Sequence, residues 1–250
     1  MIKRMTKIIA HRGFSSQAPE NTMSAFKTAL EFGVGGLELD VHLSRDGEVV
    51  VCHDERVDRT TDGHGFIKDL TWPELRELDA GSWFDLRFSK ERIPKLQEVL
   101  ELVAGIHLLL NIELKTDIFR YPGIEKKVIR MVKNHGLMKQ CIISSFYHYS
   151  LINISTIAPE MRTGILYEAG LYKPWDYALL FGAAALHPPC DSLTPETVAQ
   201  AKLKGLTVNT WTVDELPEIE KAWKAQVDGI ITNRPDRVKA FIDKNSGAIY

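Results

Sequence analysis

Two periodicities take turns along this chain. Lys7-Ile8-Ile9-Ala10 is a short apolar run that reads as a strand and ends on His11-Arg12-Gly13. Thr22 to Phe32 carries Phe26, Ala29 and Leu30 at helical spacing, with Gly33 placed as a C-cap. Leu37-Glu38-Leu39-Asp40-Val41 then alternates residue by residue, the period of a strand with two unlike faces. After the turn signal Arg45-Asp46-Gly47, Glu48 to Cys52 is a second extended run. Residues 54 to about 95 break the rhythm: they are rich in Asp, Arg, Thr and Gly, with one short helix expected from Trp72 to Leu78. Such an excursion reads as an insertion lying on the scaffold.

From Leu96 onward the alternation is regular. Strands are expected at His107 to Ile112, ending on Glu113, at Cys141 to Ser144, Arg162 to Leu166 and Ala183 to Leu186, then at Leu206 to Thr210 and Gly229 to Ile231. Helices are expected at Lys95 to Val103, Ile124 to Asn134, His148 to Ile157, Trp175 to Phe181, Pro195 to Lys204 and Pro235 to Ile242. Asp214 is expected to cap one more, through Trp223. Eight strand-then-helix units predict an α/β chain folded as a (β/α)8 TIM barrel, with the excursion inside the second unit. We expect one domain over residues 1–250, with 54–95 inserted in it.

The alternating strand gives this barrel its first chemistry. If Leu37, Leu39 and Val41 pack outward on helices, Glu38 and Asp40 both face inward, roughly 7 Å apart along the strand. Carboxylates that close repel unless a proton or a cation compensates, and carboxylate oxygens are the ligands hard Mg²⁺ or Ca²⁺ prefer. An isolated E-x-D is more often a solvated edge strand; here the neighbouring segments argue against that. His11 and Arg12, Glu38 and Asp40, His53, Glu113 and Lys115, Trp211 and Thr232-Asn233-Arg234 all fall at C-terminal strand ends, where such a barrel builds its active site. Three carboxylates suit one divalent cation. Arg12 and Lys115 add the fixed positive charge a phosphate needs. His11 and His53 are two imidazoles able to divide general-acid and general-base work. Together they suggest phosphoester cleavage.

Composition excludes more than it assigns. A formal charge of −2 gives no support for nucleic-acid binding. Met1 to Lys7 is basic but has no apolar run or cleavage signal behind it, and the longest apolar run, Tyr177 to Leu186, is too short to span a bilayer. Cys52, Cys141 and Cys190 are widely spaced, which fits reduced thiols and a cytoplasmic location better than a disulfide framework or zinc site.

These residues carry a resemblance. His11-Arg12-Gly13, Ala18-Pro19-Glu20-Asn21-Thr22, Glu38-Leu39-Asp40-Val41, Asp46-Gly47, His53-Asp54, Arg59-Thr60-Thr61 and Glu113-Leu114-Lys115, with Ile231-Thr232-Asn233-Arg234-Pro235 near the end, resemble in order the motifs of the glycerophosphodiester phosphodiesterases. The segment after His53 resembles that family's small insertion. The resemblance implies hydrolysis of glycerophosphodiesters to sn-glycerol 3-phosphate and an alcohol. It implies one divalent cation, Mg²⁺ or Ca²⁺, on Glu38, Asp40 and Glu113, with His11 and His53 as the acid/base pair. Arg12 and Lys115 would contact phosphate and Trp211 would line the pocket. It leaves open which histidine is acid, whether a cyclic phosphate forms, and whether the protein is a monomer or homodimer; no stable membrane insertion is expected.

Other residues get plainer expectations. His42 is read as a polar residue at the barrel mouth, His64 as a solvated loop residue, and His107, His135 and His148 as structural or surface residues. His187 ends a strand and keeps a chance of touching substrate. Trp72, Trp83, Trp175 and Trp223 are read as packing residues, and Glu20 as a brace from the first loop. A phospholipase of the phosphatidylinositol-specific or sphingomyelinase-D type would need an apolar docking cluster, which the sequence does not display. A non-catalytic phosphate-binding barrel would have no need of both histidines and all three carboxylates.

Overall fold

The computed structural model describes residues 6–246. Residues Met1 to Met5, most of the basic N-terminal segment read above, lie outside them. Among the described residues nine strands form one sheet. β1 (Lys7–Ala10) pairs in parallel with both β2 (Gly36–Leu43) and the final strand β9 (Gly229–Thr232), which closes the sheet on itself. β4 (Leu109–Leu114), β5 (Cys141–Ser145), β6 (Thr163–Leu166), β7 (Ala185–His187) and β8 (Thr207–Thr210) complete a parallel ring around which the helices alternate. The fold is the expected (β/α)8 barrel. β3 (Val49–Val51) stands outside the ring, antiparallel to β2 across the turn at Asp46-Gly47.

The alternation seen in the sequence is what makes the ring stable. Leu37, Leu39 and Val41 are fully buried on the outer face of β2, in the main core that the surrounding helices share. That core takes in Phe26 and Ala29 of α1 (Met23–Phe32), whose N-cap Thr22 accepts from the Ala25 N–H and whose C-cap Gly33 is left-handed. It also includes Leu96, Val99 and Leu100 of α3 (Leu96–Val103) and Val128 and Val132 of α4 (Ile124–Asn134). Inside the ring a separate apolar plug of Ile9, Leu109, Ile142, Ala185 and Ile231 fills the barrel. Polar side chains on the same inner faces are thereby left to the C-terminal mouth.

Residues after His53 build a small core of their own. Val57, Ile67, Trp72, Leu75, Ala80 and Ile93 pack against Val50 and Cys52, with α2 (Trp72–Glu77) as their helix. Asp46 ties this layer to the β2–β3 turn by accepting from the Trp72 N–H and the Ser44 hydroxyl.

Most boundaries move by a residue or two from those expected, the last helix runs on past Ile242 to Ser246, and one assignment changes. α5 (His148–Ile157), α6 (Pro174–Leu179), α7 (Pro195–Leu203) and α9 (Pro235–Ser246) lie near their expected places. α8 (Leu216–Ala225), however, has Glu215 and not Asp214 at its N-cap. Glu218 accepts from the N–H groups of Asp214 and Glu215, so the Asp214 carboxylate is released to bind elsewhere.

Candidate active site

Parallel pairing sets Asp40 of β2 opposite Glu113 of β4, and Glu38 opposite Asn111. With Leu37, Leu39 and Val41 facing out, the three acids turn into the barrel mouth. One oxygen from each of Glu38, Asp40 and Glu113 lies within 4.8 Å of the others. All three are nearly or fully buried. Burial, then the neighbouring Asp40 and Glu113, push the Glu38 carboxyl well above its usual range. Burial also raises Glu113, against the pull of Lys115. Burial opposes charge on Asp40 too, but Arg12, His53 and Lys115 overcome it and hold that carboxyl at about 2. Three buried oxygens crowded at like charge are the donor set that a hard divalent cation fits.

Positive groups enclose this cluster. Arg12 has a left-handed backbone (φ 55°), which turns its N–H onto Glu38 Oε2 at 2.9 Å; its guanidinium donates to Glu20 at 2.8 Å and lies 3.4 Å from Asp40. Gly13 continues the same turn at φ 80°, and a Cβ there would sit 2.6 Å from the Ala25 carbonyl carbon. Lys115 donates to Glu113 at 3.0 Å, and its Nζ is 3.4 Å from His53 Nε2. Burial works against charge on Lys115, but Glu113 and Asp40 raise its pKa.

His11 and His53 reach the cleft from opposite supports. The His11 N–H donates to the Thr232 carbonyl at the end of β9; ring Nδ1 is 2.8 Å from Asn233 Oδ1, and Nε2 is 3.9 Å from Glu38 Oε2. Burial, then Arg12, lower its pKa to about 4. His53 Nδ1 bonds Asp54 at 2.7 Å, and Arg59 clamps both Asp54 and Glu20. Both imidazoles border one open cleft of about 420 Å³, shared with Arg12, Glu38, Asn111, Glu113, Phe146, Leu166, Trp211, Thr212 and Ile231. Trp211 stands edge-on to Phe146 and donates from its indole N–H to the His187 carbonyl at 2.7 Å. The cleft therefore pairs a charged wall with an apolar one.

Some expectations need correction. His42, read as a polar mouth residue, is fully buried: its Nε2 donates to the His53 carbonyl and Nδ1 accepts from Tyr121. Holding the backbone of His53 is a supporting role its sequence position did not signal. His187 is fully buried beneath the mouth on Asn209 and does not line the cleft. Asn21, which donates to Asp40 at 2.9 Å, and Asp54, Arg59 and Asn233 are supports that residue type alone did not reveal. Each lies inside one of the family-like motifs, and Asn233 also follows the last strand at the mouth. Glu20 does brace the site, between Arg12 and Arg59.

Comparison with known proteins identifies the lineage. The sequence model described as the glycerophosphoryl diester phosphodiesterase family matches residues 11–237. The chain belongs to this family. A glycerophosphodiester phosphodiesterase of Caldanaerobacter subterraneus subsp. tengcongensis is 48% identical over 239 residues, covering 96% of this chain and 98% of that one. Among solved structures, an Oleispira antarctica phosphodiesterase in complex with the product sn-glycerol-3-phosphate superposes with a TM-score of 0.87 at 31% identity. It covers 96% of this chain and 97% of its own. The glycerophosphodiester phosphodiesterase of Agrobacterium tumefaciens gives 0.83 at 33% identity, over 94% and 100%. As a member of the glycerophosphoryl diester phosphodiesterase family, the protein is an enzyme with glycerophosphodiester phosphodiesterase activity. No helix among the described residues is long and apolar enough to cross a membrane.

Proposed function

We propose that this enzyme cleaves glycerophosphodiesters to sn-glycerol 3-phosphate and an alcohol, with one divalent cation and a pair of histidines. The observation that carries the reading is one cleft lined by both imidazoles and by Glu38 and Glu113, with an oxygen of buried Asp40 within 4.8 Å of those two acids. Glu38, Asp40 and Glu113 would hold Mg²⁺ or Ca²⁺, which when bound neutralises phosphate charge. Arg12 and Lys115 bind the phosphate oxygens, their charge fixed by Asp40, Glu20 and Glu113. His11 and His53 move the protons: one takes the proton of the attacking oxygen, and the other protonates the alkoxide released when the P–O bond breaks. Trp211 and Phe146 shield the apolar side of the cleft. Residues 54–95 serve as an insertion within one phosphodiesterase domain, reaching the site through Asp54 and Arg59. Three buried free thiols support a reducing, cytoplasmic location.

Assay of glycerophosphocholine against intact phospholipid, with and without chelator, tests this directly. The diester should be hydrolysed, the phospholipid should not, and chelator should abolish turnover until Mg²⁺ or Ca²⁺ is restored. Full activity of thoroughly stripped protein would end the metal part of the proposal; preference for intact phospholipid would end the substrate part.

A further inference from the structure

A run of hydrogen bonds behind the cleft joins the segment before α8 to the end of β9 and to His11. We infer that Asp214 and Asn233 are positioning residues that lock His11 in its Nδ1–H tautomer, presenting bare Nε2 to the cleft. The inference rests on the proposed proton-transfer role of His11.

Asp214 Oδ1 accepts from the Asn233 backbone N–H at 2.8 Å, an obligate donor, and from the Thr232 hydroxyl at 2.9 Å. The Thr232 hydroxyl itself accepts from the Arg234 N–H at 2.9 Å, which leaves its hydrogen for Asp214. The second oxygen, Oδ2, lies 2.6 Å from the Asn233 side-chain amide. A carboxylate can only accept, so the amide must present its NH2 there, and an amide that could otherwise be flipped is fixed. Its oxygen then points the other way, 2.7 Å from Ser15 Oγ and 2.8 Å from His11 Nδ1. An amide oxygen has no proton to give, so the hydrogen in the His11 contact belongs to Nδ1. A neutral imidazole carries one N–H; Nε2 is therefore left as a proton acceptor. That nitrogen is the one on the cleft side, 3.9 Å from Glu38. Ser15 cannot force this arrangement, since its hydroxyl is also within 2.9 Å of the His11 carbonyl. The polarity originates at Asp214, the residue released from helix capping by Glu215 and Glu218.

Asp214→Asn tests the lock with almost no change of shape. The new amide oxygen keeps the Asn233 N–H and Thr232, so its NH2 faces Asn233. Asn233 must then turn its oxygen toward position 214 and its NH2 toward His11, which favours the Nε2–H tautomer. Nitrogen-15 NMR of the Mg²⁺-loaded protein should show the protonated and bare ring nitrogens of His11 exchanging places. We expect kcat to fall on the order of 10²–10⁴, the scale of a misassigned proton-transfer group, with KM within a few-fold of wild type. The exchange Asp214→Asn with Asn233→Asp restores the original polarity and should recover both tautomer and most of kcat. Wild-type His11 with its proton on Nε2 at neutral pH overturns the inference with no variant needed. So does loss of activity in Asp214→Asn with the ring nitrogens unchanged. If the nitrogens exchange but kcat holds, the positioning role falls. His11→Ala run alongside then separates the causes: an active His11→Ala removes the proton-transfer reading as well, whereas an inactive one leaves it standing.

Discussion

Glu38, Asp40 and Glu113 are individually costly residues. Each is a buried carboxylate, and of the three only Asp40 is held ionised at low pH, by Arg12, His53 and Lys115 together. Removing one carboxylate should weaken the cation site, and at Glu113 it also takes the partner from buried Lys115. Glu113→Gln is expected to lower Mg²⁺ affinity at least tenfold and, because it leaves the Lys115 ammonium buried without its carboxylate, to lower the melting temperature in chelator by about 2–4 °C for each kcal/mol lost. Calorimetry with and without Mg²⁺ checks both signs. The histidines carry a different expectation. His53→Ala should cost on the order of 10²–10⁴ in kcat, the loss typical of one proton-transfer group. Mg²⁺ affinity by titration should stay near wild type, because His53 contributes no oxygen to the acidic cluster.

Among elements, the His11-Arg12-Gly13 turn and the segment after His53 matter most. The turn aims the Arg12 N–H at Glu38 only because two successive residues adopt left-handed backbone. Gly13→Ala adds strain at φ 80° and a contact with the Ala25 backbone that cannot be relieved by a side-chain rotation. It should destabilise by about 1–3 kcal/mol in denaturant titration and reduce kcat as well, since the displaced turn carries both His11 and Arg12. The segment over 54–95 shares its core with Val50 and Cys52 of the β3 region. Its excision therefore uncovers apolar surface on the β2–β3 hairpin, so a shortened chain is a poor probe of selectivity. Arg59→Ala is cleaner: it unclamps Asp54 and Glu20 and should lower kcat more than it lowers the melting temperature, as the pair is partly exposed.

At the scale of the whole molecule, acid stability follows from histidines kept neutral inside the barrel. His187 is fully buried on Asn209, and burial moves its pKa from 6.5 down to about 3. The unfolded chain takes up that proton near pH 6.5 and the folded one does not. Stability tied to His187 is thus fully present above 6.5 and drains away as pH falls toward 3, by about 2 kcal/mol between pH 6.5 and 5. His187→Gln should be less stable than wild type at pH 7.5, with the difference shrinking at pH 5. Urea midpoints at the two pH values check the sign; an unchanged difference would mean that His187 is not held neutral.

The alternation of strand and helix periods was enough to predict the barrel, because eight such units in order call for a closed parallel sheet covered by helices. Residue-by-residue alternation in Leu37 to Val41 put Glu38 and Asp40 on one inner face before any contact was known. Local sequence also specified Gly33 as a cap, since its bonds span only a few residues. Partners across the ring were decided elsewhere. Asp214 has the residue type of a cap, yet the return of β9 brings Asn233 to it and Glu218 satisfies the helix end in its place. His42 and His187 looked alike in a strand; which one supports His53 and which lies below the mouth depends on how far up the barrel each register sets its side chain. A sequence fixes which face a side chain is on, because that has a period of two. Its depth and its partner come from the pairing of strands far apart in the chain, and only the closed ring supplies those.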